Sequence, residues 1–161
     1  MKDATLCLLI DGNEIILGRK KRGFGVGKLN GYGGKLNGGE TVEEAAVREL
    51  NEEAGVFVNE SQLEKVGKIE FYFPPGEKAD KYNQRVHIYI IRNWVGSPRE
   101  SEEMTVEKFP LSGIPYDEMW ETDRHWMPVV LSGKRIIGRI DFNDDCETTK
   151  KFDYREVEGF S

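Results

Sequence analysis

The segment Arg48-Glu49-Leu50-Asn51-Glu52-Glu53-Ala54-Gly55-Val56 places three glutamates within one and a half turns of a helix. Like charges spaced at i,i+3 and i,i+4 destabilise a helix, so a cluster of this kind asks for a reason. At about 100° per residue, Glu53 falls roughly 40° to one side of Glu49 and Glu52 roughly 60° to the other, which gathers the carboxylates on an arc of roughly 100°. A solvated helix face would tolerate them. A hard divalent cation would use them, because Mg²⁺ takes a few carboxylates plus substrate phosphates and keeps several waters. Arg48 adjoins Glu49 and precedes Glu52 by one turn, so its rigid fork of donors is suited to orienting both.

A helix must present this arc. Thr41 and Glu44 fit a capping box, Ala45, Ala46, Val47, Leu50 and Ala54 form an apolar stripe beside the glutamates, and Gly55 is placed to end the helix, which should begin at Val42. Upstream, residues 5–10 and 14–18 flank Asp11-Gly12-Asn13 and read as a hairpin. Residues 23–39 contain eight glycines and read as a shaped loop region. Residues 66–73, 85–92 and 106–109 read as strands, the first two separated by a Pro74-Pro75-Gly76 loop. A second helix should follow Thr122, with Trp126, Val129, Val130 and Leu131 inward and Pro128 near its start or at a kink. Residues 135–141 and 152–157 read as closing strands. The pattern is that of a mixed sheet packed between helices.

With 161 residues, 38% hydrophobic and 32% charged, the chain is expected to form one domain over 1–161. A net charge of −6 argues against binding a nucleic-acid backbone. If the ligand is itself an anion, the charge must be reversed locally, by the run Arg19-Lys20-Lys21-Arg22 or by a bound cation. The longest apolar run, Leu6 to Ile10, is too short to cross a bilayer, and the amino terminus lacks a signal layout, so a cytoplasmic location and no membrane partner are expected. Cys7 and Cys146 lack metal-ligand spacing and read as reduced thiols; His87 and His125 lack a partner at zinc spacing and read as structural.

Gly34, Glu40, Arg48, Glu49, Leu50, Glu52, Glu53, Gly55 and Val56 satisfy every position of the pattern G-x5-E-x7-R-E-U-x-E-E-x-G-U, with U aliphatic. A random chain of this length would match with a probability on the order of 10⁻⁸, so coincidence is not a competing explanation. This pattern is the Nudix box, and the sequence resembles the Nudix hydrolase family. The resemblance implies an α/β/α sandwich around a mixed β-sheet, and hydrolysis of a nucleoside diphosphate linked to another moiety with Mg²⁺, or alternatively Mn²⁺. It assigns catalysis to Glu49, Glu52, Glu53 and Arg48, and metal binding to Glu49, Glu52, Glu53, the Gly33 carbonyl and Glu103 from a separate loop.

Three further stretches, KKRGFGVGKLNGYGGK at 20–35, FPLSGIPYDEMWETDRHWMP at 109–128 and DYREV at 153–157, resemble one branch of that family. Its members convert oxidised purine nucleoside triphosphates, 8-oxo-dGTP and also 2-hydroxy-dATP, to the monophosphate and pyrophosphate, which sanitises the nucleotide pool. The similarity runs nearly end to end, with a longer loop between Phe73 and Val86. It places substrate contacts at Thr5, Lys20, Phe24, Asn30, Gly33, Gly34, Lys35, Phe71, Trp120, Asp123 and Trp126. An Asn amide can donate and accept against a purine edge, an Asp can read its N–H groups, and a Trp face can stack on the base. Two positions depart from the branch: Thr122 stands where a second aspartate is usual, and Leu29 where a tryptophan is. The preference among oxidised purines therefore stays open, as do ADP-ribose, a dinucleoside polyphosphate or an RNA cap as substrate, and nucleotide binding without turnover. The expected partner is a small-molecule nucleotide, and the expected state a monomer.

Overall fold

β1 (Lys2–Asp11) and β2 (Glu14–Arg19) form the hairpin, with Leu9 opposite Ile16 and Asp11 opposite Glu14. Gly12 takes φ 61°, as the first central residue of a two-residue hairpin turn requires. The computed structural model describes residues 1–160. After the hairpin come β3 (Leu29–Asn30), α1 (Val42–Ala54), β4 (Glu64–Tyr72), α2 (Glu77–Tyr82), β5 (Gln84–Ile91), β6 (Glu107–Pro110), α3 (Asp123–Leu131), β7 (Ile136–Phe142) and β8 (Thr149–Glu156). One sheet holds all the strands in the order β3-β2-β1-β5-β4-β7-β8, with β6 joined to β2. The sheet is mixed: β1 and β5 run parallel, as do β4 and β7, while the other pairs are antiparallel.

Alternate residues of β1 divide between two cores, as the two-residue period of a strand demands. Cys7 and Leu9 pack with Ala46, Leu50 and Ala54 of α1, whereas Leu8 and Ile10 pack with Trp126, Met127 and Val130 of α3. The two helices thus cover opposite faces, which is the expected α/β/α sandwich. Among the described residues no helix is long and apolar enough to cross a membrane.

α1 has the anticipated ends. The Thr41 hydroxyl accepts from the Glu44 amide at 3.1 Å, the Glu44 carboxylate accepts from the Thr41 amide at 2.9 Å, and Gly55 closes the helix at φ 71°. Three features differ from the sequence reading. α2 occupies part of the segment read as a Pro-Pro-Gly loop. β3 interrupts the glycine-rich region, because Gly18 and Arg19 of β2 pair with Asn30 and Leu29. In α3, Met127 is buried in place of Val129 and Leu131, which lie only partly covered at the rim of the core. Pro128 lies exposed in the second half of this nine-residue helix, where its missing N–H frees one carbonyl near the surface.

Candidate active site

Nothing in the folding of α1 calls for acid at its C-terminal half. The last turn carries no basic residue, and Glu52 and Glu53 stand at the negative end of the macrodipole, where carboxylates are disfavoured. Glu53 reaches back under the glycine-rich segment, and its Oε1 accepts from the Gly33 amide at 2.8 Å. Burial, reinforced by the charge of Glu49, pushes its pKa up to about 8, with the Gly33 hydrogen bond opposing. Burial also raises Glu49, against the pull of Arg48. Two half-buried carboxylates that resist ionisation beside each other, offering only oxygen donors, fit a hard divalent cation, whose charge would relieve both costs.

The backbone beside them is bare for a steric reason. A Cβ on Gly33 would sit 2.0 Å from the Thr5 carbonyl oxygen of β1, and one on Gly34 2.7 Å from Glu49 Oε1. The Cys7 and Thr5 amides donate to the Tyr32 and Gly34 carbonyls.

Arg48 organises the acids. Its Nε and Nη2 grip Glu40 at 2.6 and 3.0 Å, its Nη1 donates to Glu49 at 3.0 Å and Glu52 at 3.1 Å, and Nη2 also meets the Lys35 carbonyl at 3.2 Å. Arg48 therefore holds the carboxyl of Glu40 below the usual range. Glu52 and Glu103 are engaged by arginines. The Glu52 side chain is 57% exposed on the Arg48 fork. Glu103 is bound by both Nε and Nη2 of Arg22, which keeps its pKa below the ordinary carboxylate value. Among the described residues no three carboxylate, imidazole or thiol side chains stand ready around one point. Glu49 and Glu52 thus share Arg48 Nη1, while Glu103, whose charge still acts on Glu53, is held by Arg22.

A cavity of about 590 Å³ opens beside Glu49 and Glu53 and runs to the other core, a size suited to a small ligand. Thr5, Lys20, Phe24, Asn30, Gly33, Gly34, Lys35, Phe71, Trp120, Asp123 and Trp126 all line it; Arg48, Glu52 and Glu103 do not. Of the basic run, Arg19 pairs with Glu107 and Glu118, Lys21 with Glu100, and Arg22 with Glu102 and Glu103. Among the described residues Lys20 alone of the four makes no ion pair, and it faces the cavity, so a local positive group survives the global negative charge.

At the far end Asp123 is buried, its Oδ1 accepting from Trp126 Nε1 at 3.1 Å. Burial lifts its pKa to about 7, although that hydrogen bond and the charge of Lys28 oppose the rise. Lys28 Nζ lies 5.1 Å from the Trp120 ring centroid, and the Phe24 ring centroid is also 5.1 Å from it. Thr122 is buried at the wall beside Asp123, and Leu29 is wholly buried in the core beneath. The sequence reading left out Glu40 as the main partner of Arg48, and Tyr82 and Gln84 on the cavity wall. Glu40 was signalled by its place in the pattern; Tyr82 carried no signal.

A family model described as NUDIX domain matches residues 1–130. An oxidized purine nucleoside triphosphate hydrolase of Mus musculus is 41% identical over 156 residues, which is 97% of this chain and 96% of that protein. Its counterpart in Danio rerio is 44% identical over 138 residues, 86% of this chain and 85% of that protein. The crystal structure of a MutT protein from Bacillus halodurans superposes with a TM-score of 0.77 at 20% identity, over 96% of this chain and 97% of that one, which is a likeness of fold.

Proposed function

Since the chain belongs to the NUDIX domain family, we propose that it hydrolyses oxidised purine nucleoside triphosphates such as 8-oxo-dGTP to the monophosphate and pyrophosphate. One observation carries the reading: a single cavity joins the α1 carboxylates to a buried Asp, an Asn amide and a Trp face. The printed activities of the mouse and zebrafish relatives support it. β7 and β8 lie beyond residue 130 yet complete the same sheet, so the proposed catalytic unit is one domain over 1–161. It acts as a cytoplasmic monomer on a free nucleotide.

Nudix hydrolases generally depend on a divalent metal, here proposed to be Mg²⁺, with Mn²⁺ as substitute. Glu49, Glu53 and the Gly33 carbonyl would hold it, together with Glu52 oriented by Arg48 and with Glu103. Bound there, it would neutralise phosphate charge and lower the pKa of a water. An α1 glutamate left free of the ion takes the proton of the attacking water. Arg48 fixes the rotamers of Glu49 and Glu52, and Lys20 and Lys35 meet the phosphates.

Base reading falls to the far end. Oxidation at C8 of guanine turns N7 from an acceptor into an N–H donor, which reverses what its Hoogsteen edge asks of the protein. Asp123 with its proton offers a donor and an acceptor, and without it two acceptors; Thr122 adds one hydroxyl where the related branch has a second carboxyl. A site whose buried polar groups match one edge rejects the unmatched edge by orders of magnitude. Chromatography of products from normal and oxidised nucleoside triphosphates, with and without Mg²⁺, tests the reading. Metal-dependent monophosphate and pyrophosphate from the oxidised purines are expected. Turnover confined to ADP-ribose or a dinucleoside polyphosphate would overturn it.

A further inference from the structure

The β4–β5 connection carries the short helix α2. None of the residues of α2 is buried, so the helix contributes little to either core. Its one residue on the cavity is Tyr82. The Tyr82 ring lies flat on Phe24, with centroids 3.9 Å apart and planes 11° apart. Phe24 in turn stands 5.1 Å from Trp120. The helix end is fastened where the Phe73 amide donates to Asn83 Oδ1 at 2.7 Å, and Phe73 itself stacks on Phe142 at 4.3 Å.

Phe24 needs such support. It is 37% exposed on a loop whose neighbours Gly23 and Gly25, and then Gly27, all take φ between 82° and 88°. Glycine there permits the turn but gives the loop no side chains with which to lock itself. Packing of Gly25 against the indole of Trp120, where a Cβ would come within 3.2 Å, brings the loop to the cavity mouth without fixing the Phe24 ring. Phe73 meets the ring at its edge with centroids 6.4 Å apart, and the Tyr82 face, at 3.9 Å, covers it most closely.

We propose that Tyr82 is a positioning residue for the nucleobase: by stacking on Phe24, it holds that ring as the wall of the cavity beside Trp120. A stacked aromatic wall recognises the π face of any purine and leaves the edge to Asp123 and Asn30. Tyr82 therefore sets affinity for the base while leaving the chemistry at Glu49 and Glu53, and discrimination between purine edges, unchanged. The inference rests on the proposed purine triphosphatase reading.

The test compares wild type, Tyr82→Ala and Tyr82→Phe for kcat and KM on 8-oxo-dGTP at saturating Mg²⁺, for inhibition by bare pyrophosphate, and for the urea midpoint. Tyr82→Ala should raise KM roughly tenfold with kcat within about twofold, the pattern of a lost uniform binding contact. Its pyrophosphate inhibition constant and urea midpoint should stay at wild-type values, and Tyr82→Phe should behave as wild type. An unchanged KM in Tyr82→Ala, a parallel rise in the pyrophosphate constant, or a Tyr82→Phe variant as weak as Tyr82→Ala would overturn the inference. Absence of turnover of any oxidised purine triphosphate by wild type overturns the functional reading. The three proteins are then compared by tryptophan fluorescence with dGMP and 8-oxo-dGMP: weaker binding by Tyr82→Ala alone sustains the role of Tyr82, and equal binding, or none by wild type, ends it.

Discussion

Asp123→Asn should change how stability depends on pH, by an amount set by burial. Asp123 is 7% exposed and its pKa rises on folding from 3.8 to about 7. That difference corresponds to about 4 kcal/mol between the ionised and neutral forms, at about 1.36 kcal/mol per tenfold change in proton affinity. An acid whose pKa is raised in the fold stabilises it fully below its unfolded pKa. Here that contribution declines as pH climbs from about 4 and is gone above about 7. Asparagine keeps an oxygen for Trp126 Nε1 and never ionises, so the variant lacks this decline. Urea unfolding of both proteins in chelator, at steps from pH 4 to 8.5, cancels every other titrating group in the difference. The advantage of Asp123→Asn should grow by about 2–4 kcal/mol across that interval and level off, the lower figure allowing for relaxation around the buried charge. Its turnover of 8-oxo-dGTP should fall at least about a hundredfold above pH 7, where the ionised carboxylate offers two acceptors and the amide only one. A difference curve that is flat with pH would refute the argument from burial.

Two other perturbations separate architecture from chemistry. Gly33→Ala forces a Cβ onto the Thr5 carbonyl at 2.0 Å, a backbone clash that should cost about 3 kcal/mol or more in denaturant melts. Gly34→Ala meets only the end of the Glu49 side chain at 2.7 Å; stability should change by less than about 1 kcal/mol while kcat falls at least about tenfold. Arg48→Ala should retain the fold by circular dichroism but lower kcat/KM about a hundredfold, because Glu49 and Glu52 lose the fork that fixes them.

What the sequence disclosed was whatever local spacing controls. The capping box at Thr41, the stop at Gly55 and the arc of Glu49, Glu52 and Glu53 are matters of a few residues' separation, and α1 follows them. α2 escaped because a six-residue helix with no buried face leaves no apolar period to find. The parallel pairing of β1 with β5 spans about half of the chain, from Lys2 opposite Gln84 to Leu9 opposite Ile91, and has no local sign. At the site, an arc of carboxylates did not reveal that Arg22, from 81 residues away in sequence, would hold Glu103 apart. Partner choice among surface arginines is decided by tertiary placement. Tyr82 remained hidden for the same reason, since it meets Phe24 from 58 positions away in sequence.

The central claim is that half-buried glutamates of α1 gather a divalent ion where a nucleoside triphosphate meets it. Pyrophosphate release from 8-oxo-dGTP, followed as Mg²⁺ is titrated into chelated wild type, Glu53→Gln and Glu49→Gln, tests it most directly. The account predicts a rate that rises from zero with Mg²⁺ in wild type, and falls at least about a thousandfold in Glu53→Gln with the fold intact. Both variants turning over at near wild-type rate, or a wild-type rate indifferent to Mg²⁺, would contradict it.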